Sequence, residues 1–390
     1  MLIQQIAPVA DSEFAPVFVA LELSKSKWLV GVGSPSRSTV RRHEARGGAL
    51  DDLLQLLTRI SVTEAERSGR PVKVHICFEA GRDGHWLYRA LVSAGYHVYE
   101  IDPASVSVNR RARRAKSDGL DVDMLVRTLA RLVRGELDAC KVVQVPSQAE
   151  EDAKRPHREY ERLVKERTSH RNRIKALLFA QGIRDFDPMA SDRLERLTAL
   201  PILPNLKAEL MRECRRLAAI GDDIAAVEAT MKAAAALSKS KGKPARSGAS
   251  MPAAIQAKVA ELFKLKSIGL HFSTVLGSEV YYRTFHNRRG VAQYIGLAPS
   301  PFQSGDMARD QGISKAGNPR ARKAMIELAW LWLQHQPDSA VSKWFRQRVG
   351  DQKGRVRRIA IVAMARKLAV ALWRYLEVGL IPEGAVFKRA

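Results

Sequence analysis

Between residues 16 and 140, short β-branched runs alternate with longer segments of helical period. This alternation constrains the fold more than any other feature of the chain. "PVFVALEL", "KWLVGVG" and the stretch around "TVRRHEA" read as three successive strands. "LDDLLQLLTRISVTEAERSG" has helical spacing, "PVKVHICFEA" is a further strand, and "DGHWLYRALVSAG" is a helix closed by Gly95. "YHVYEI" and "DGLDVDMLVRTLARLVRG" complete the pattern with a strand and a helix ending at Gly135. Three strands, a helix, a strand, a helix, a strand and a helix predict an α/β layer domain. One residue is out of place in it. Glu22 falls inside the first strand, "VALEL", where a central strand covered on both faces should be apolar.

Other acids stand at related places. Glu79 ends the strand "VHICFE". Asp118 and Asp121, three residues apart in "KSDGLDVDML", open a helix on one face, and Asp123 points elsewhere and is expected to be solvated. Four carboxylates at one open sheet end would repel each other unless cations lay among them. Carboxylate-held Mg²⁺ ions acting on phosphodiesters are one solution. Each acid also has an ordinary structural reading. Asp118 can cap the helix with Asp121 in its first turn, and Glu79 can simply precede a helix, but a mid-strand Glu22 is costly without a partner.

Charge narrows the partner. The 390 residues carry a formal net charge of +24, which points first to nucleic acid and second to an anionic membrane. No stretch of about 20 residues is free of charge, so no membrane span is expected. Cys77, Cys140 and Cys214 are far apart, without zinc-ligand spacing or a disulfide framework, and the chain reads as a reduced, cytoplasmic bacterial protein. The run "NRRARRAK" brings Arg110, Arg111, Arg113, Arg114 and Lys116 beside the acidic pair, either as a backbone clamp or as a solvated basic face.

Beyond residue 140 the pattern changes. Residues 148–182 and 204–237 read as two long charged helices forming a helical hairpin or coiled-coil arm. "SKSKGKPARSGAS" reads as a flexible basic linker. The C-terminal part is mainly helical. "LKSIGLHFSTVLG" resembles a helix-hairpin-helix element whose usual second Gly is replaced by Leu270, so a packing hairpin is an equal reading. "PSPFQSGDMARDQGISKAGNPR" is expected to be a loop of about twenty residues, a length that is usually functional or disordered. Trp330, Trp332 and Trp373 lie on apolar helices and are expected in the core.

The ordered acids, ending in K-S-D-x-x-D, resemble the RuvC-like DEDD insertion-sequence transposases, also called bridge-RNA-guided recombinases. "FHNRRGVAQYIGLAPSPFQSG", "GISKAGNPRARKAMIELAW" and "AMARKLAVALWRYLEVG" are similar to that family's C-terminal blocks, so the resemblance runs from about residue 16 to 380. It implies an RNase H-like (RuvC-like) α/β catalytic domain over 14–140, a helical or coiled-coil arm over 147–237, a linker over 238–250 and an α-helical transposase domain over 251–390. It implies that Glu22, Glu79, Asp118 and Asp121 are catalytic and hold Mg²⁺. It also implies that Ser304 is a nucleophile forming a 5′-phosphoserine link to DNA. A structured non-coding guide RNA, donor and target DNA, and a dimer or tetramer would be its partners. Arg320, Arg322 and Lys315 would then contact nucleic acid. One departure is visible: the family's first acid is normally Asp, and Glu22 is one methylene longer, by about 1.5 Å. Without the resemblance Ser304 is an ordinary Ser-Gly turn residue. The rival readings are a RuvC-type metal-dependent junction nuclease using water, which would need no Ser304, and a non-catalytic basic scaffold on nucleic acid.

Overall fold

The computed structural model describes residues 13–81, 85–106, 118–236, 251–304 and 307–388. The described residues fall into two compact units, 1–146 and 147–390.

The first unit follows the alternation of the sequence. Strands β1 (Ala15–Leu23), β2 (Lys27–Gly33) and β3 (Arg41–Arg46) are followed by helix α1 (Leu50–Ser68), then β4 (Val72–Glu79), α2 (Trp86–Ser93), β5 (His97–Ile101) and α3 (Asp118–Val133). The sheet order is β3-β2-β1-β4-β5, with β1–β2–β3 antiparallel and β1–β4–β5 parallel. Side chains alternate across each strand. Val17, Val19 and Leu21 of β1 join Leu53 and Leu57 of α1 and Leu87 and Leu91 of α2 in one core layer. Phe18 and Ala20 of β1 and Cys77 of β4 join Leu125 and Leu129 of α3 in the other. β1 is therefore buried on both faces, which explains its near-continuous apolar run.

α3 is seated through a close approach. A Cβ at Gly31 of β2 would lie 2.0 Å from Val122 Cγ1, and one at Gly33 would lie 2.7 Å from Val126 Cγ1. Glycine at both positions lets the helix lie against the sheet. Asp123 is not solvated as expected: Arg42 of β3 grips it with two hydrogen bonds of 2.7 and 3.2 Å.

The second unit begins with α4 (Gln148–Asp152) and α5 (Arg155–Phe179). These replace the single helix expected over 148–182. Pro156 removes a backbone donor and disfavours helical geometry in the residue before it, so the chain breaks and restarts with Pro in the first turn. After α6 (Arg193–Ala199), α7 (Pro204–Ala236) returns beside α5. Leu163 packs with Ile220 and Ile224, and Ile174 and Leu178 pack with Leu210, Cys214 and Leu217. The pairing of low numbers with high makes α5 and α7 an antiparallel hairpin.

The C-terminal elements are α8 (Ala253–Lys264), α9 (Leu270–Val275), a π-helical turn (Leu276–Val280), α10 (Arg288–Ile295), strands β6 (Pro299–Ser304) and β7 (Met307–Ile313), and helices α11 (Pro319–His335), α12 (Ala340–Val349) and α13 (Arg355–Val378). Their core gathers Tyr281, Val291, Met325, Trp332, Phe345 and Leu368. Trp332 is fully buried and donates its indole N–H to Ser339. Trp330 departs from the core expectation: it is 37% exposed, with Arg357 over its ring. Among the described residues no helix is long and apolar enough to cross a membrane.

Candidate active site

The acidic residues are placed by strand register. β1 and β4 run parallel, with Leu21 opposite Phe78, so Glu22 and Glu79 follow as the next neighbours at the same end of the sheet. By alternation Glu22 lies on the face of Phe18 and Ala20, and Glu79 on the face of Cys77, which is the face that α3 covers. α3 runs against β1. Its Val126 meets Gly33, which pairs with Phe18, and its Val122 meets Gly31, which pairs with Ala20. Asp118 stands one turn before Val122, about 6 Å along the helix. Glu22 stands two residues beyond Ala20, about 6.6 Å along the strand. The two therefore come level at one end of the sheet. Lys27, which starts β2 at this end, has its pKa raised chiefly by Glu44, at 2.8 Å, and also by Asp118.

Glu22, Glu79 and the start of α3, which carries Asp118, thus lie toward one end of the sheet, with Asp121 three residues further along the helix. The four carboxylates do not share a coordination sphere as they lie: among the described residues, no group of three or more His, Cys, Asp or Glu is close enough to hold a metal ion. The donor set itself, four carboxylates and no sulfur or imidazole, suits a hard divalent cation.

Ser304 is in the second unit. The twenty-residue loop expected around it is instead a β-hairpin, in which Ser304 pairs with Met307 at the tip and Pro299 pairs with Ile313 at the base. Pairing with β7 gives the backbone polar groups of this Gly- and Pro-rich stretch their partners within the hairpin. The base is pinned. Ser314 N–H donates to Ala298 O, Lys315 N–H to Gly296 O, and Asn318 N–H to Tyr294 O. Gly317 has φ +96°, and a Cβ there would lie 2.2 Å from Tyr294 O, so only glycine fits.

The cations assigned to nucleic acid from sequence have varied fates. Arg110, Arg111, Arg113, Arg114 and Lys116 lie outside the described residues. Arg322 donates to Lys315 O at 2.8 Å and braces the hairpin base. Arg320 is paired with Glu161 of α5 and has its Nε 3.6 Å from Glu279, so it neutralises buried acid within its own unit. Lys315 is exposed, with φ +56°.

Glu279 was not singled out from sequence, yet it is among the most heavily hydrogen-bonded side chains described in the second unit. It sits on the π-helical turn with its side chain 3% exposed. It accepts from His157 Nε2 at 3.0 Å, from Arg158 at 2.7 and 3.1 Å, and from Asn318 Nδ2 at 3.1 Å. Burial alone would push its carboxyl up, but the hydrogen bonds and charges of His157 and Arg158 outweigh this and hold it far below the usual carboxylate range. Tyr294 O–H donates to the Glu279 carbonyl at 2.9 Å. α5 and the N-cap of α11 therefore meet at the Glu279 carboxylate, and α10 holds the same residue through its main-chain carbonyl. The sequence signal was a lone acid in the apolar run "TVLGSEVYY", the same kind of signal that Glu22 gives. π turns inside helices often mark functional positions.

Two family models match the chain. A DEDD transposase domain model of the IS110 type covers residues 34–180, which include Glu79, Asp118 and Asp121 but begin after Glu22. A model described as the transposase IS116/IS110/IS902 family covers residues 259–343, which include Glu279 and Ser304. Two Sinorhizobium fredii proteins that bear the name "putative transposase" are similar along most of their length. One, y4rJ, is 43% identical over 96% of this chain and 96% of its own, and the other, y4qE, is 25% identical over 92% and 82%. The transposase for insertion sequence element IS1111A of Coxiella burnetii is 25% identical over 76% of this chain and 75% of its own. The DEDD domain implies a RuvC-like α/β fold, and the first unit has a mixed sheet with helices on both faces, as that fold requires. Near-full-length identity of 43%, with both domain models in order, makes this chain a member of the IS116/IS110/IS902 family of transposases, enzymes that act on DNA.

Proposed function

We propose that the chain cuts and rejoins DNA through Ser304, with Glu22, Glu79, Asp118 and Asp121 serving as the acidic site, and that an RNA encoded by the element guides it. The observation that supports the acidic part is the β1–β4 register with α3 lying against β2, which sets Glu22, Glu79 and the start of α3 toward one end of the sheet. Ser304 is supported by its place at a hairpin tip on a pinned base, inside a family-matched segment.

In the reaction, the Ser304 hydroxyl oxygen attacks a phosphodiester phosphorus. A serine–phosphorus bond forms and the bond to the 3′ oxygen breaks. The serine proton goes to a carboxylate base, and the leaving 3′ oxygen takes a proton from water to become a 3′-hydroxyl. Rejoining reverses these steps with another strand's 3′-hydroxyl. Glu22, Glu79, Asp118 and Asp121 would hold Mg²⁺, which when bound would neutralise charge on phosphoryl oxygens. The net charge of +24 suits the long phosphate backbones of DNA and a guide RNA together.

The test traps the reaction on DNA labelled on the 5′-phosphate side and reads label retained on protein after denaturation. Wild type and Ser314→Ala are expected to retain it, and Ser304→Ala is expected to lose it. Asp121→Asn should lose cleavage, as should removal of divalent metal by chelation, with nucleic-acid binding kept. Cleavage without any covalent species would favour a water-using nuclease. Adduct formation by Ser304→Ala would move the nucleophile to another residue.

A further inference from the structure

The second unit contains a strongly basic cleft. It has a volume of about 610 Å³ and lies between α10 and α13. Arg288 and Arg289 open α10, while Arg366, Lys367 and Arg374 come from α13. Arg366, Val370 and Arg374 are spaced by four, so they form one stripe along α13. Among the described residues that line the cleft there is no carboxylate.

These cations differ from Arg158 and Arg320 in their electrostatic surroundings. Arg158 and Arg320 are neutralised by Glu279 and Glu161. Among the described residues, none of Arg288, Arg289, Arg366, Lys367 and Arg374 has an ion-pair partner. Lys367 instead rests 4.7 Å from the ring centroid of Trp344. Five like charges around one concave surface repel one another, and the low-dielectric wall behind them concentrates their field. A polyanion relieves that repulsion and releases its own counterions on binding.

The position of the cleft narrows the occupant. Its floor includes Ala298 and Pro299, and Pro299 is the first residue of β6, the strand that ends at Ser304. From Pro299 to Ser304 the strand rises five steps, about 17 Å at ~3.3 Å per residue. That span equals about five nucleotides of a duplex at ~3.4 Å each. We propose that this cleft binds the sugar-phosphate backbone of the DNA strand being cut, about five nucleotides from the scissile phosphate, and so sets where along the strand Ser304 acts. The proposal rests on the reading of Ser304 as nucleophile for that position, while the binding itself does not depend on it.

The test compares wild type, the triple variant Arg288→Gln/Arg366→Gln/Arg374→Gln, the same three positions as Lys, and Ser304→Ala. Each is titrated with a fluorescent linear duplex spanning the element's own end, at several salt concentrations. Thermal unfolding confirms that the variants fold. The Gln triple is expected to lose at least about tenfold in affinity and to lower the salt slope by two to three, since each lost phosphate contact removes about 0.9 from it. The Lys triple should recover most of the affinity and slope, and Ser304→Ala should bind as wild type does. Phosphate-ethylation interference on the same duplex should show a patch about five nucleotides from the cut that disappears in the Gln triple. An unchanged slope in the Gln triple overturns the proposal. So does a variant that keeps DNA affinity and loses affinity only for a structured RNA from the element's non-coding end. If Ser304→Ala still forms the covalent adduct, the nucleophile is wrong. The affinity and slope changes would then stand, and the interference patch would be measured from a different residue.

Discussion

At the scale of single residues, Glu279 shows how strongly one buried charge can organise its surroundings. It is an acceptor only, and it receives donors from His157, Arg158 and Asn318. Glu279→Gln keeps the shape and removes the charge that balances Arg158 and Arg320. Losing one member of a buried ion pair costs about 3–5 kcal/mol, but Arg158 keeps nearly half of its side chain in water, so a loss of about 2 kcal/mol is expected. Chemical denaturation with an unchanged m-value would measure it, and a stability equal to wild type would show that the cluster contributes nothing net. Glu279 could have been read from sequence by the reasoning applied to Glu22, since both are lone acids in apolar runs. Its partners could not have been read. His157 and Arg158 lie more than a hundred residues away on α5, and nothing local marks them off from the other basic residues of that helix.

At the scale of elements, the seating of α3 on β2 decides whether Asp118 and Asp121 come level with Glu22. Gly31→Ala places a methyl 2.0 Å from Val122 Cγ1, a contact that must be relieved by lifting the start of the helix. The expected cost is about 1–3 kcal/mol. DNA cleavage should fall more than stability alone explains, because the displaced turn carries two of the acids. Adding Val122→Ala should restore part of both, and a Gly31→Ala protein with wild-type cleavage would show that the helix position is not critical. The element pattern of the first unit was legible in the sequence because strand and helix periodicities alternate cleanly there. The β6–β7 hairpin was not legible. Its Pro, Gly and Ser residues spell loop locally, and its pairing is fixed by backbone bonds to α10 and by the tight fit of Gly317.

At the scale of the whole molecule, buried histidines make acid stability a property of both units. In the first unit, burial and then the nearby His97 and Lys73 lower His75 to about 4. In the second, burial and then His157, Lys323 and Arg320 lower His271 to about 4, despite Glu161 at 3.5 Å. Both histidines take up protons on unfolding, where the pKa is about 6.5. Their contribution is therefore complete above that pH and is lost as pH falls toward 4. Glu279 acts in the same direction lower down, since its folded carboxyl lies far below an unfolded value of about 4.3. The melting temperature should decline steadily from about pH 6.5 to pH 4. A flat profile across that window would mean that these histidines stay accessible to protons in the folded protein.

The sequence by itself determined the layered α/β class of the first unit, the strand-end position of Glu79, and the helix opening with Asp118 and Asp121, whereas Glu22, expected mid-strand, is the penultimate residue of β1. These follow from periodicities of two and 3.6 residues, which act locally. The surplus of positive charge was equally plain, but its allocation was not. Only the tertiary structure decided that Arg158 and Arg320 are consumed by Glu279 and Glu161 while Arg288, Arg366 and Arg374 have no ion-pair partner among the described residues around a cleft. An arginine's role depends on which acid lies within a few ångströms of it and on how much water is excluded there. Both are fixed by contacts between residues distant in sequence, to which local pattern carries no guide.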